Sequence, residues 1–105
     1  MKEKIYNKLV RDKIPQIIKQ ADKKAFFSVV TTEEFKTLLL DKLIEELAEF
    51  KDTPNEEEFA DILEVIDGLS VAFNLDMEKV LTIKAEKFKE CGGFNERIVL
   101  EKVME

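Results

Sequence analysis

The sequence predicts an all-α protein, a bundle of four to five helices with at most one short two-stranded β-ribbon. Apolar residues recur at intervals of three and four along most of the chain, which is the period of an amphipathic helix. Only three glycines and two prolines interrupt the 105 residues, and all but Gly68 fall where helices are expected to begin or end. Because 45% of the residues are hydrophobic, the chain has enough apolar material for one core, and residues 1–105 are predicted to form a single domain.

The first part of the chain predicts a short helix followed by a short strand. The helix spans Asp12–Gln20, and Pro15 is tolerated in its first turn because the N–H that proline lacks has no partner there. The apolar and partly β-branched segment Ala25–Val30 (AFFSVV) favours a strand. The tail segment Arg97–Val103 alternates apolar and polar residues, so it is the expected pairing partner in the ribbon.

Three longer helices are each predicted to begin at a residue type that caps helices, and Gly92-Gly93 is a typical helix end. The predicted spans, each from its capping residue, are Thr31 or Thr32 to about Phe50, Asn55 to about Phe73, and Asp76 to Gly92-Gly93. A short turn, Lys51–Pro54, joins the second and third helices. These two helices are therefore expected to pack antiparallel.

The composition excludes several classes of function. A net charge of −6 without a basic block argues against binding to nucleic acid or to an anionic membrane. The chain has no histidine, which excludes Ser-His-Asp and Cys-His catalysis and histidine-based zinc sites. Its single cysteine, Cys91, excludes an internal disulfide and a Cys-rich metal site. No signal peptide or membrane-spanning segment is recognisable, so a cytoplasmic protein is expected.

Two of the predicted helices carry carboxylates on faces that are otherwise apolar. At about 100° per residue, Glu46 shares the face of Leu39 on the second helix, and Glu49 lies one turn further on. On the third helix, Glu58 lies at the edge of the apolar face and Asp61 follows one turn later. Antiparallel packing would bring these four carboxylates together, and four carboxylates need a cation to offset their repulsion.

Oxygen ligands without cysteine or histidine select a hard ion, Mg²⁺ or Mn²⁺. Mg²⁺ usually binds phosphate groups through its remaining positions, so the pattern predicts metal-assisted attack on a phosphate ester or anhydride. The base would be Glu49, its neighbour Glu45, or the metal-bound water. The alternative is that Glu45, Glu46 and Glu49 form a solvated helix face without a metal, and the pattern alone leaves both interpretations open.

Three segments of the chain together resemble a known family. They are Asn7–Pro15 (NKLVRDKIP), the acidic motifs Glu45–Glu49 (EELAE) and Glu58–Asp61 (EFAD), and Gly92-Gly93-Phe94. In these segments the chain resembles the MazG-like all-α nucleoside-triphosphate pyrophosphohydrolases, and within them the small phosphoribosyl-ATP pyrophosphohydrolase-like subgroup. The resemblance implies Mg²⁺-dependent hydrolysis of a nucleoside triphosphate between the α and β phosphates, which yields the monophosphate and pyrophosphate.

The resemblance also assigns roles to individual residues. The positions that match its acidic signature are metal ligands, and the leading acid Glu45 or the ligand Glu49 would assist as base. The implied ligands are Glu46, Glu49, Glu58 and Asp61. The implied phosphate contacts are Asn7, Lys8, Arg11, Lys13, Lys84 and Lys87. Without the resemblance, the basic residues of the N-terminal segment are interpreted as solubilising, and Lys84 and Lys87 as ordinary surface lysines.

The chain departs from the family pattern in two places. Only eight residues separate Glu49 from Glu58, so the helix pair must turn tightly. Cys91 stands where the subgroup tends to carry a basic residue. Cys91 is expected to be a buried or partly buried thiol rather than a nucleophile, because no histidine is present to activate it. Phe94 is expected to pack in the core rather than to stack on a nucleotide base.

A symmetric homo-oligomer is expected, because the apolar stripe on the second helix is wider than one short chain can cover. The resemblance implies that it is a homodimer or a homotetramer. The superfamily is typically dimeric or tetrameric, and the resemblance also allows a site shared between subunits. Two alternative functions remain at this stage. One is a catalytically silent helical oligomerisation module, and the other is hydrolysis of phosphoribosyl-ATP.

Overall fold

A computed structural model describes residues 2–105 and contains four α-helices and no β-strand within that range. The helices are Ile14–Gln20 (α1), Thr32–Asp52 (α2), Glu56–Ala72 (α3) and Met77–Cys91 (α4). The predicted all-α class is therefore confirmed. The chain divides into two compact units, the first ending at Asn74 and the second beginning at Leu75. Within residues 2–105, no helix combines the length and the apolar character needed to cross a membrane.

The predicted capping residues begin the three longer helices. The side chains of Thr31, Asn55 and Asp76 each accept a hydrogen bond from the backbone N–H three residues further on, at 3.2, 2.8 and 3.3 Å. Acidic residues occupy the first turn of each of these helices, where the helix dipole stabilises negative charge. Helix α1 begins slightly later than predicted, with Lys13 as its N-cap and Pro15 in its first turn.

In the first unit, α2 and α3 form an antiparallel hairpin around the turn at residues 53–55. Near the turn, the rings of Phe50 and Phe59 lie 5.7 Å apart between their centroids. Towards the other end the helices nearly touch, since a Cβ added to Gly68 would lie 2.9 Å from Leu39 Cδ2. Among the described residues, the buried apolar side chains are Leu39, Ile62 and Val65, and all three come from this hairpin.

The second unit contains α4 and an irregular segment after it. Helix α4 ends as predicted at Gly92, whose φ of +80° is a conformation that glycine adopts more readily than other residues. Two expectations for this unit are wrong. Cys91 is exposed rather than buried, and Phe94 is 97% exposed rather than packed. Both lie where the chain leaves the helix and follows an irregular path, with no packed layer over them.

The predicted β-ribbon is also wrong. Residues 25–30 and residues 97–103 are both irregular. An isolated two-stranded ribbon is only marginally stable, and it needs a third strand or a helix packed on one face. Apolar alternation in these short segments is therefore insufficient to form strands here.

Candidate metal centre

The α2–α3 hairpin brings together acidic residues from both helices. Glu46 of α2 and Glu58 and Asp61 of α3 each offer a carboxylate oxygen, and these oxygens all lie within 4.8 Å of one another. Glu58 and Asp61 are three residues apart, so both project from the same side of α3. We call these three residues the acid cluster.

Glu46 is the most constrained member of the acid cluster. Glu46 is only 6% exposed. Lys42 Nζ lies 3.5 Å from Oε1 of Glu46, whereas Oε2 of Glu46 is buried without a hydrogen-bond partner. Oε2 of Glu58 is buried and without a partner as well. Glu46 therefore does not belong to a solvated helix face, and two orphaned carboxylate oxygens are donors that a bound cation would satisfy.

Burial and crowding of the carboxylates also shift the pKa values of the acid cluster. Burial raises the pKa of Glu46 above its ordinary value, and repulsion from Glu49 and Asp61 raises it further, whereas Lys42 opposes the shift. Burial and then the charges of Glu49 and Asp61 likewise raise the pKa of Glu58. Glu49, the fourth predicted ligand, thus lies near the carboxyls of Glu46 and Glu58, although it is itself exposed and outside the tight group of three.

Two basic residues of the N-terminal segment contact the acids of the hairpin. Lys8 Nζ donates a hydrogen bond to Glu45 Oε1 at 2.8 Å, and Arg11 Nη2 donates one to Asp61 Oδ1 at 2.7 Å. Arg11 Nη1 also lies 3.9 Å from Glu64 Oε1. The hydrogen bond from Lys8 lowers the pKa of Glu45, and the same bond raises the pKa of Lys8. Two predicted phosphate-binding residues therefore contact predicted site acids, Lys8 the candidate base Glu45 and Arg11 the candidate metal ligand Asp61.

Within residues 2–105, no ion pair or side-chain hydrogen bond joins the remaining predicted residues to the acids of the hairpin. Asn7 and Lys13 are exposed, and Asn7 has a backbone φ of +45°. Lys84 and Lys87 are exposed on α4, in the second unit. Their roles stay predictions.

Sequence reasoning misses Lys42 and Glu64. Lys42 Nζ lies within 3.6 Å of oxygens of both Glu45 and Glu46, and its side chain is only 20% exposed. The sequence pattern that could have indicated Lys42 is its spacing, because it precedes Glu45 by three residues and Glu46 by four on the same helix. The signal for Glu64 is weaker, because it depends on where Arg11 lies.

No family model, curated protein or solved structure matches this chain. The donor atoms of the acid cluster indicate which ions it can bind. All of them are carboxylate oxygens, which suit hard ions such as Mg²⁺ and Mn²⁺. The neighbouring Lys8 and Arg11 are groups that bind phosphate when they are free of carboxylate partners.

Proposed function

We propose that this chain is a MazG-like nucleotide pyrophosphohydrolase that depends on Mg²⁺, with Mn²⁺ as a possible substitute. The reaction adds water across the bond between the α and β phosphates of a nucleoside triphosphate, and it releases the monophosphate and pyrophosphate. One observation carries the proposal. A buried glutamate, Glu46, has one oxygen without a hydrogen-bond partner, and its carboxylate groups with those of Glu58 and Asp61.

The donor set fits a divalent hard ion. Glu46, Glu58 and Asp61 would hold the ion, and Glu49 is close enough to the first two to complete the acidic set. A bound Mg²⁺ supplies positive charge that offsets the negative charge of the phosphate oxygens. Without such a charge, burial and mutual repulsion destabilise the charged forms of Glu46 and Glu58, and this raises their pKa values.

The two candidate bases differ in how available their carboxylates are. Glu45 accepts a hydrogen bond from Lys8 and lies 3.6 Å from Lys42, so it is a weak proton acceptor as long as these contacts persist. Glu49 is exposed and lies next to the acid cluster. We therefore favour Glu49 as the residue that takes a proton from the attacking water, with Glu45 as the residue that keeps Lys8 in position.

The basic residues would bind the phosphate chain. Lys8 and Arg11 would exchange their carboxylate partners for phosphate oxygens, since both side chains are about half exposed and free to turn. The neighbouring Asn7 and Lys13 would add contacts from the same segment. Lys84 and Lys87 lie one turn apart on α4 and would act as a second group of phosphate contacts.

The test is a panel of nucleoside triphosphates, together with phosphoribosyl-ATP, assayed for pyrophosphate release with Mg²⁺ and with a chelator. We expect Mg²⁺-dependent release from at least one substrate, and a loss of at least about 100-fold in Glu46→Gln. Asp41→Asn, an exposed acid on α2 outside the acid cluster, is the matched control and should retain activity. Release from phosphoribosyl-ATP alone would identify that narrower activity, and no release from any substrate would favour the silent helical module.

A further inference from the structure

The N-terminal segment, residues 2–13, is held on the hairpin by charged contacts more than by packing. It precedes α1, none of its residues is buried, and only Leu9 is partly buried. Its ion pairs with the hairpin come from Lys8 and Arg11, whose side chains are 44 and 57% exposed. Exposed ion pairs are weak and are screened by other charges, so a competing charge can break these contacts.

Arg11 is shared between two acids of α3. Its Nη2 donates a hydrogen bond to Asp61 Oδ1 at 2.7 Å, and its Nη1 lies 3.9 Å from Glu64 Oε1. Glu64 follows Asp61 by three residues, so the two carboxylates lie one turn apart on the same side of α3. The planar guanidinium carries several N–H donors in a fixed geometry. Arg11 therefore has a second carboxylate within reach when it leaves Asp61.

Asp61 belongs both to the acid cluster and to the contact with the N-terminal segment. It accepts the hydrogen bond from Arg11, and it offers an oxygen within 4.8 Å of oxygens of Glu46 and Glu58. A cation bound by the acid cluster would therefore lie close to the Arg11 guanidinium. Two cations at one carboxylate repel each other, so binding of either one weakens the contact of the other.

Arg11 partly offsets the negative charge of the metal-free acid cluster. It supplies a single positive charge from one side, and one oxygen each of Glu46 and Glu58 still lacks a hydrogen-bond partner. A divalent ion carries twice the charge and takes several oxygen ligands at once. The ion is therefore the stronger partner for Asp61 whenever it is present.

We propose that Arg11 and a divalent cation compete for Asp61, and that the bound cation displaces Arg11 onto Glu64. Glu64 is then a positioning residue, because it keeps the guanidinium beside the acid cluster. The displaced guanidinium retains one carboxylate partner instead of two, so more of its donors can bind a phosphate oxygen. Cation binding and phosphate binding therefore favour each other through Arg11. The inference rests on the proposed function, since it concerns the same ion and the same phosphate.

The first experiment counts bound ions rather than reaction products. Mn²⁺ replaces Mg²⁺, because free Mn²⁺ gives an electron paramagnetic resonance signal that weakens on binding. Arg11→Gln should lower the Kd for Mn²⁺ by about 3- to 10-fold, because a competing charge is removed. Lys19→Gln is the matched control, since it removes the same charge from an exposed position on α1, and it should change the Kd by less than about 2-fold. A Kd in Arg11→Gln that equals or exceeds the wild-type value would overturn the proposal.

A double-mutant cycle tests the role of Glu64. Glu64→Gln should raise the Kd for Mn²⁺ in the wild-type background, because Arg11 then has Asp61 as its remaining acceptor. In the Arg11→Gln background the rise should be at least about 2-fold smaller, since no guanidinium needs an acceptor. Equal rises in both backgrounds would mean that Glu64 acts only through its charge, and displacement onto Glu64 would be wrong.

The second experiment observes Arg11 itself by NMR. The chain has only two arginines, Arg11 and Arg97, so a single Arg97→Lys variant assigns both Nε–Hε signals. Metal-free Asp61→Ala provides the reference for a displaced Arg11, because it retains Glu64 and lacks the other carboxylate. Saturating Mg²⁺ should move the Arg11 signal of the wild type towards its position in this reference.

The outcomes separate this inference from the proposed function. An Arg11 signal that stays in place while the ion binds would overturn the competition and would leave the metal site standing. Absence of Mn²⁺ binding in both the wild type and Arg11→Gln would overturn both proposals. Binding in Arg11→Gln alone would support the competition, because Arg11 would then exclude the ion. Circular dichroism checks folding, and all variants should keep their helices because Arg11, Lys19 and Glu64 are exposed.

Discussion

The two carboxylate oxygens of Glu46 have different surroundings. One lies 3.5 Å from Lys42, and the other has no partner inside a buried interface. A buried polar atom without a partner costs about 1–3 kcal/mol, and a carboxylate costs more than a neutral group. The residue is thus unfavourable for the stability of the metal-free fold, which is typical of side chains that are kept for binding rather than for packing.

Glu46→Gln should therefore raise the melting temperature of the metal-free protein by about 2–4 °C, since an amide is cheaper to bury than a charge. Mg²⁺ should stabilise the wild type by mass action and should stabilise the variant much less. Thermal melting with Mg²⁺ and with a chelator checks both effects, and Asp41→Asn serves as control. A lower melting temperature for Glu46→Gln without metal, with equal Mg²⁺ shifts for all proteins, would mean that the acids are structural.

The stability of the metal-free protein should depend on pH in two opposite ways. The pKa values of Glu46 and Glu58 are raised above 4.5 in the folded state, so these residues contribute stability at low pH that is lost as pH rises through their folded-state pKa values. The pKa of Glu45 is lowered, so its contribution is present above 4.5 and is lost as pH falls further. Melting in a chelator should therefore give a higher temperature near pH 5 than at pH 7, and a decline below 4.5. In a double Glu46→Gln, Glu58→Gln variant, the difference between the melting temperatures near pH 5 and at pH 7 should become smaller. An unchanged difference would mean that other groups cause it.

At this scale the sequence predicts the acid cluster but not the ion pairs that Lys8 and Arg11 form with the acids of the hairpin. The position of Glu46 follows from its seven-residue spacing to Leu39, because helical periodicity alone assigns both to one face. The ion pairs of Lys8 and Arg11 depend on the irregular path of residues 21–31, which has no period to read. Whether a lysine near an acid is solvated or bound is decided by tertiary packing.

Among the helices, the closest approach of α2 and α3 depends on Gly68. Gly68→Ala should change the free energy of unfolding by less than about 1 kcal/mol, because the gain in helix propensity opposes the contact with Leu39. Gly68→Val should destabilise by about 2–3 kcal/mol, because a branched side chain would displace buried Leu39. Urea unfolding measures both, and Asp67→Val on the exposed face of α3 is the control. If Gly68→Val and Asp67→Val change the free energy of unfolding equally, α2 and α3 can move apart at Gly68 without loss of stability.

The exposed lysines of α4 are expected to act on substrate rather than on folding. Lys84→Ala and Lys87→Ala should each raise KM or lower kcat/KM, by about 10-fold if a phosphate contact is lost. Neither should change the helical circular dichroism, because both side chains are exposed. Lys79→Ala, on the same helix, is a suitable control. Full activity in both variants would show that these lysines are only solvated surface.

Helix boundaries were predictable because they are set by local chemistry. Thr31, Asn55 and Asp76 each cap a helix through a hydrogen bond to a residue three positions away, so the relevant information lies within one turn of sequence. The strands predicted at residues 25–30 and 97–103 are absent because a strand needs a partner far away in the chain, and no local pattern guarantees one.

For the whole molecule, the homodimer or homotetramer expected from the sequence would make stability depend on concentration. The melting temperature should then rise by several degrees between about 1 and 100 micromolar protein, because association favours the folded state. Leu47→Glu should remove this dependence, because Leu47 is an exposed residue of the apolar stripe on α2, whereas Val71→Glu, at an exposed position on α3, should keep it. Scanning calorimetry or circular dichroism at several concentrations provides the measurement, and a concentration-independent wild type would indicate that each chain melts alone.

The contact between Arg11 and Asp61 also bears on the order in which the chain assembles. These residues are 50 positions apart, whereas the hairpin forms through the turn at residues 53–55 between helices adjacent in sequence. Closing a long loop costs more entropy than closing a short one, so the hairpin can fold on the fast timescale of local contacts. The N-terminal segment then docks onto a hairpin that already exists. During synthesis, the segment must therefore wait until α3 has emerged before its arginine has a partner.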